Sequence, residues 1–272
     1  MKKKEHFDKK KIILAIITLI LFLIVIFLGY LVLNKYVLKN NFENSILPFA
    51  NKNENTIFTI DKIVLFSGAD SKTKNIASSN YTIENLYQYT DIALFVSSNT
   101  TEKKLENTFK RVWIDNIKFN TTPSLGDAKL YFKSINDFSK STFDENNIIQ
   151  DSLEFNVVSD NETDLSEPNL YNNLANPITL TYVNQNIKSD YTITDTSSPI
   201  TYDGSLLKKC NVSLDSINSN ISFDVNVINN LDQEFKCTAF IDIPLTDDNN
   251  KTIYDGNINI KKDTNFIFYR YK

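Results

Sequence analysis

Residues 221–228 read ISFDVNVI and residues 235–243 read FKCTAFIDI. In the first stretch Ile221, Phe223, Val225 and Val227 fall on one side and Ser222, Asp224 and Asn226 on the other, the period of two that marks a half-buried antiparallel strand. The second stretch repeats the pattern, with Phe235, Cys237, Ala239, Ile241 and Ile243 on one face. The intervening NNLDQE is turn material, so the pair predicts a hairpin from Ile221 to Ile243.

Alternation of the same kind recurs along the chain in TIFTIDKIVLF (56–66), DIALFVS (91–97), VWIDNIKF (112–119), KLYFK (129–133), SLEFNVV (152–158) and ITLTYV (178–183), then near 206–214, in NINI (257–260) and in NFIFYRY (265–271). About ten short strands separated by polar turns predict an antiparallel β-sandwich, because βαβ units would need a long helical pattern after most strands. The one helical candidate in this region is NTTEKKLENTF (99–109), where Asn99 offers a cap, Glu102 follows three residues on, and Leu105 and Phe109 are four apart.

Upstream of the strands the pattern changes completely. From Ile12 to Leu33 no side chain is charged. At 1.5 Å per residue about 22 helical residues reach about 33 Å, enough to cross a hydrocarbon core of ~30 Å. A cleaved signal peptide has a shorter apolar run and small residues at alternating positions after it, whereas Phe27 stands two positions before Gly29 and the next small residues, Ser45 and Ala50, lie far downstream. The run therefore predicts an uncleaved anchor. Lysines 2, 3, 4, 9, 10 and 11 precede it and only Lys35 and Lys39 follow closely, so the positive-inside bias places residues 1–11 in the cytoplasm as a tail. Residues 12–33 form the transmembrane anchor, 34–55 a spacer, and 56–272 the extracytoplasmic sandwich. The polar stretch 159–177, with two prolines, is either a boundary between two smaller sandwiches or one long crossover. Tyr30 and Tyr36 sit where interfacial aromatics belong, and the span holds no ionisable residue that would mark an ion path or proton relay.

Charge follows the same division. The chain has 29 basic and 33 acidic side chains; removing the tail's six lysines, Glu5 and Asp8 leaves 23 against 31, a net −8 outside the tail. An acidic region with two arginines, Arg111 and Arg270, is unsuited to nucleic acid or to phosphate recognition. Seven Asn-x-Ser/Thr triplets are no more than an Asn-rich, Ser/Thr-rich chain supplies by chance.

Chemistry is excluded more firmly than it is suggested. The single histidine is His6, in the cytoplasmic tail, which removes His-dependent triads, Cys–His hydrolysis and His-ligated zinc from the sandwich. Five glycines, none grouped, provide no phosphate-cradling loop. Cys210 and Cys237 are an even count that permits a disulfide. Read as strand residues in a simple meander, they are separated by a middle strand and so lie roughly 9.5 Å apart, beyond bridging reach, which favours two buried thiols. Asp160, Glu162, Asp164 and Glu167 have spacings reminiscent of a calcium loop but lack its glycine, and 247–256 has the composition of a turn. Trp113, Tyr269 and Tyr271 are the candidates for an aromatic platform, although strand aromatics are more often cross-strand partners.

No cofactor, metal site or catalytic residue is expected. The expectation is a single-pass, membrane-anchored, non-enzymatic interaction module, bound to lipid through its anchor and to another envelope or surface protein, or a surface glycan, through the sandwich. A carboxylate-dependent hydrolase of envelope polysaccharide and a structural subunit of a membrane complex are the alternatives.

Overall fold

A computed structural model describes residues 9–50, 57–77, 80–100, 102, 104–159, 164–195 and 197–271. The tail residues 1–8, with His6 and its lysines, and the acidic residues 160–163 lie outside that set. The chain forms two compact units, Met1–Lys52 and Asn53–Lys272.

The first unit is one helix, α1 (Lys9–Ala50), and its stretch from Ile12 to Asn41 is long and apolar enough to cross a membrane. Its side chains in that stretch are exposed all round, Phe22 at 62% and Val32 at 68%, a surface that water does not favour and lipid does. The helix does not stop at Leu33. It runs through residues expected to be spacer, since 34–47 contain neither glycine nor proline and Pro48 stands in the last turn.

The second unit is two antiparallel sheets packed face to face, as the alternation predicts. The first contains β1 (Phe58–Ala77), β2 (Asn80–Ser98), β4 (Asp127–Phe132), β7 (Ile178–Lys188), β8 (Tyr191–Ile193) and β11 (Ile258–Ile267), in the order β11-β1-β2-β7-β4 with β8 on β2. The second contains β3 (Phe109–Thr121), β5 (Leu153–Val158), β6 (Asn169–Tyr171), β9 (Asn220–Asn229), β10 (Glu234–Asp242) and β12 (Tyr269–Arg270), in the order β12-β10-β9-β3-β5-β6. Among the described residues only β5 and β6 run parallel. The stretch 159–177 is the connection from β5 to β7, and it carries β6 within it.

The predicted hairpin is β9–β10, paired from Ile228–Glu234 down to Asn220–Asp242. Its inner face, Ile221, Phe223, Val225, Val227, Phe235, Cys237, Ala239 and Ile241, is buried against the first sheet. The join is aromatic. Phe58 of β1 meets Phe109 of β3 at 5.5 Å between ring centres and Phe235 of β10 at 5.3 Å, edge-on. Fully burying a ring of this size is worth a few kcal/mol, with a further increment from the ring pairs.

Two local expectations are corrected. Residues 206–214 are not a strand: Ser205–Lys209 form a short helix, α2, followed by a 3-10 turn at Leu214–Ser216. Leu206, Leu207 and Cys210 stand one and four residues apart, which is helical spacing, and all three are buried under the sheets; Asp203 Oδ1 accepts from Ser205 N at its start. Among the described residues of 99–109 the helical part is a single 3-10 turn, Leu105–Asn107. The Asn107 side chain bonds the backbone at Lys104, Glu102 and Thr100, satisfying as a loop the groups a helix would have needed.

Cys210 caps α2 instead of lying in a strand, so the meander distance does not apply to it; both cysteines are buried free thiols. Burial pushes Cys210 up to about 11 and Cys237 up to about 12, the latter with help from Asp224.

Two measurements test this packing. Phe58→Ala should cost about 3–5 kcal/mol of stability, seen as a lowered denaturation midpoint of the full chain, because it opens a cavity where three rings meet; a cost under about 1 kcal/mol would mean the rings are not the join. A thiol reagent at neutral pH should label neither cysteine in the native protein and both in denaturant without reductant. Labelling of neither after denaturation would reveal a disulfide.

Candidate functional site

The site is built on β10 because of how the chain ends. Strand β11 runs along the edge of the first sheet, Phe268 then turns fully into the core with its N–H donating to Phe58 O at 3.1 Å, and β12 emerges on the second sheet. With two residues, β12 pairs only with Phe235 and Lys236 of β10. The bonds at the two ends of β10, Tyr271 N to Glu234 O and Ile243 N to Ser219 O, both 3.0 Å, set the parity: odd residues bond β9, even residues face away from it. Beyond Lys236, the main-chain groups of Thr238, Phe240 and Asp242 therefore point out of the sheet, where no strand follows in the sheet order.

Alternation places the same three side chains on the outer face. Phe240 is 59% exposed, and Tyr269 and Tyr271 are nearly half exposed beside it. Between β10 and the β11–β12 crossover lies a groove of about 490 Å³, lined by Lys236, Thr238, Phe240, Phe266, Tyr269 and Tyr271. A second hollow of about 280 Å³ continues along β10 past Ile63, Leu65, Lys262 and Asp263. The walls are mostly apolar and aromatic, with a few polar groups, the usual make-up of a recognition site.

Away from the groove, the register sets Tyr269, Lys236, Asn226, Trp113 and Glu154 in one row across the outer face. The three aromatics singled out from sequence thus share a face, but they do not form one platform. Trp113 is three strands, roughly 14 Å, from Tyr269. Its ring is covered by the Arg111 guanidinium at 4.7 Å, which Glu154 holds with two bonds of 2.8 and 2.7 Å. The Trp113 indole N–H donates to Asp115 Oδ2 at 2.9 Å. Tyr269 and Tyr271 belong to the groove instead.

Carboxylates on this face are structural in their chemistry. Asp115 and Asp224 stand opposite each other on β3 and β9. Burial pushes Asp224 up, but hydrogen bonds from Lys236 (2.8 Å), Thr238 (2.6 Å) and Asn116 (3.0 Å) together outweigh it, and the carboxyl sits below its ordinary value. A glycosidase acid needs the opposite shift. The carboxyl that burial does raise, Asp91, to about 6, lies on the first sheet and faces Lys133 at 3.5 Å.

The other sequence candidates resolve into turns. Of the acidic 160–167 stretch, Asp164 accepts from Ser166 N, while Asp160 and Glu162 lie outside the described residues. In 247–256, Asp247 Oδ1 accepts from Asn249 N and Lys251 N, and Asp255 from Thr252. Among the described residues no three His, Cys, Asp or Glu side chains gather closely enough to hold a metal ion.

The signal that sequence reading missed was Phe240, an apolar residue on the polar side of an otherwise regular alternation; it carries the groove. Comparison of the chain with protein-family models, with curated proteins and with solved structures gave no match.

Proposed function

We propose that this protein is a single-pass, membrane-anchored binding module without enzymatic activity, whose β10 edge takes up an extended segment of another envelope or surface protein. The observation that carries the reading is the open stretch Thr238–Asp242, with outward main-chain groups beside an aromatic groove. An added strand would gain main-chain hydrogen bonds at Thr238, Phe240 and Asp242, and its alternate side chains would enter the groove for specificity. The anchor is α1, with the lysine-rich tail in the cytoplasm and the sandwich outside, as the lysine asymmetry argues.

A surface glycan is the second reading. It is favoured by Tyr269 and Tyr271, half exposed beside Lys236 and the polar row of β9. Against a hydrolase stand the lowered Asp224 and the Lys133-facing Asp91. A structural subunit of a membrane complex would depend on its span more than on this edge.

Orientation is tested with a tag at Lys272: protease added to intact cells should remove the tag while the anchor stays in the membrane fraction, and a protected tag, with controls for a resistant fold, would reverse the topology. Recognition is tested by capturing envelope proteins and envelope glycans with the full chain in detergent. Phe240→Pro, which deletes an outward N–H that β9 does not use, should leave the fold in place and weaken protein capture at least about tenfold, ~1.4 kcal/mol. Unchanged protein capture by Phe240→Pro, with glycan capture lost in Tyr269→Ala, would replace the strand-addition reading by the glycan one.

A further inference from the structure

The outer face of the first sheet carries an unrelated feature. Residues 134–149, between β4 and β5, cross it as a cover, and Tyr87, Tyr89, Tyr131 and Val183 pack beneath Phe143 and Ile148. Phe143 sits 5.3 Å from both Tyr87 and Tyr131. Under this cover lie a lysine and an aspartate almost wholly removed from water: Lys133 is 3% exposed and Asp91 0%. Asp91 on β2 is the cross-strand partner of Thr181 on β7, and Thr181 that of Tyr131 on β4. Lys133, two residues past Tyr131, reaches back across β7, and its Nζ stops 3.5 Å from Asp91 Oδ1.

As an ion pair this is a poor arrangement. Charge-assisted N–H···O bonds close to about 2.7–2.9 Å, and a buried pair recovers its desolvation cost only with excellent geometry. Here no donor reaches Oδ1 with good hydrogen-bond geometry. The other carboxyl oxygen accepts from Ser139 N at 2.8 Å, and Lys133 Nζ donates to Lys140 O at 2.8 Å and to Thr142 O. Those contacts also serve the neutral partners, the form in which the amine can act as a nucleophile. An uncharged amine has two N–H groups, which the two carbonyls take, and a lone pair left over to face the carboxyl. Burial acts in the same sense on both groups. It raises Asp91 against the pull of Lys133, Thr181 and Ser139, and it lowers Lys133 against the pull of Asp91 and Asp137, with Lys140 adding to the lowering.

We propose that Lys133 and Asp91 condense into an intramolecular amide that ties β4 to β2 across β7. The Nζ lone pair attacks Asp91 Cγ and forms the new N–C bond, while the carbonyl π pair moves onto the oxygen that Ser139 N–H binds. One amine proton passes to the Oδ1 hydroxyl, the oxyanion pair returns to re-form the carbonyl, and the C–O bond breaks so that water leaves with that bond's electron pair. The product keeps one N–H for a carbonyl of the cover, and the balance needs no oxidant or cofactor. Fixed proximity supplies the rate advantage, since Nζ is held 3.5 Å from the carboxyl and groups kept together in this way behave as if at very high concentration. The Ser139 N–H is aimed where negative charge develops, and the aromatic cover excludes the water that would stabilise the charged reactants.

The intact mass of the full chain, purified in detergent and then denatured, decides the matter. It should be lighter than the sequence mass by one water, and proteolysis should release a branched fragment joining the Asp91 and Lys133 peptides. Lys133→Ala and Asp91→Ala should each restore the unmodified mass. A wild-type mass without the loss, with the two peptides separate, overturns the proposal; this reading is made on denatured wild-type chain and does not depend on either variant folding.

Discussion

Burial of Phe268 governs the architecture of the sandwich edge. A strand that stayed in the first sheet would have left β10 without any partner on this side. Instead the ring turns inward to lie 6.2 Å from Phe58, and the chain leaves one sheet and joins the other within a single residue. Apolar burial on this scale outweighs the few hydrogen bonds that a longer β12 would have made with β10, because each such bond nets only about 1 kcal/mol after exchange with water. The consequence is geometric: β11 and β10 diverge, and the space between them is the groove.

The interior is not uniformly greasy, and its polar end explains why part of the fold was hidden in the sequence. Hairpin β1–β2 extends far past the segments 56–66 and 91–97 that alternation picks out. In the extension Ser67, Gln88 and Thr90 take the inner positions that valine or isoleucine hold elsewhere, and Ser67 Oγ meets Thr90 Oγ1 at 2.6 Å. Tyr87 and Tyr89 take the outer positions, buried by the 134–149 cover. With both faces buried and polar residues on the inner one, the contrast on which period-two reading depends disappears. Strands β6 and β8 were missed for a different reason: three residues carry no period.

What was legible was whatever a local pattern determines. The long apolar helix follows from an uncharged run, and the β9–β10 hairpin from alternation around a turn. The helix α2 was misread because LLKKC satisfies a strand template only if adjacent leucines are allowed to face opposite ways, and the core demanded both. The site was legible in its parts and not in its assembly. Tyr269 and Tyr271 were identifiable as aromatics in a terminal strand, but their neighbour across the groove, Phe240, is some thirty residues away in sequence, and only the sheet crossing at Phe268 brings them together. The same holds for Asp91 and Lys133, whose meeting depends on β7 lying between their strands.

Protein edges are normally guarded against pairing with other chains. Among the described residues, three edges other than β10 obey that rule by recognisable means. Strand β6 is three residues long, β4 is overlain by the segment that follows it, and β11 carries exposed Lys261, Lys262 and Asp263. Strand β10 departs from it. Its free stretch sets an exposed phenylalanine between Thr238 and Asp242, within an acidic region that has ample charge to place there instead. An unguarded edge is a liability for a chain that must remain alone, since exposed main-chain groups beside apolar surface invite association. The outward main-chain groups of Thr238, Phe240 and Asp242 beside an exposed ring thus set β10 apart from β6, β4 and β11.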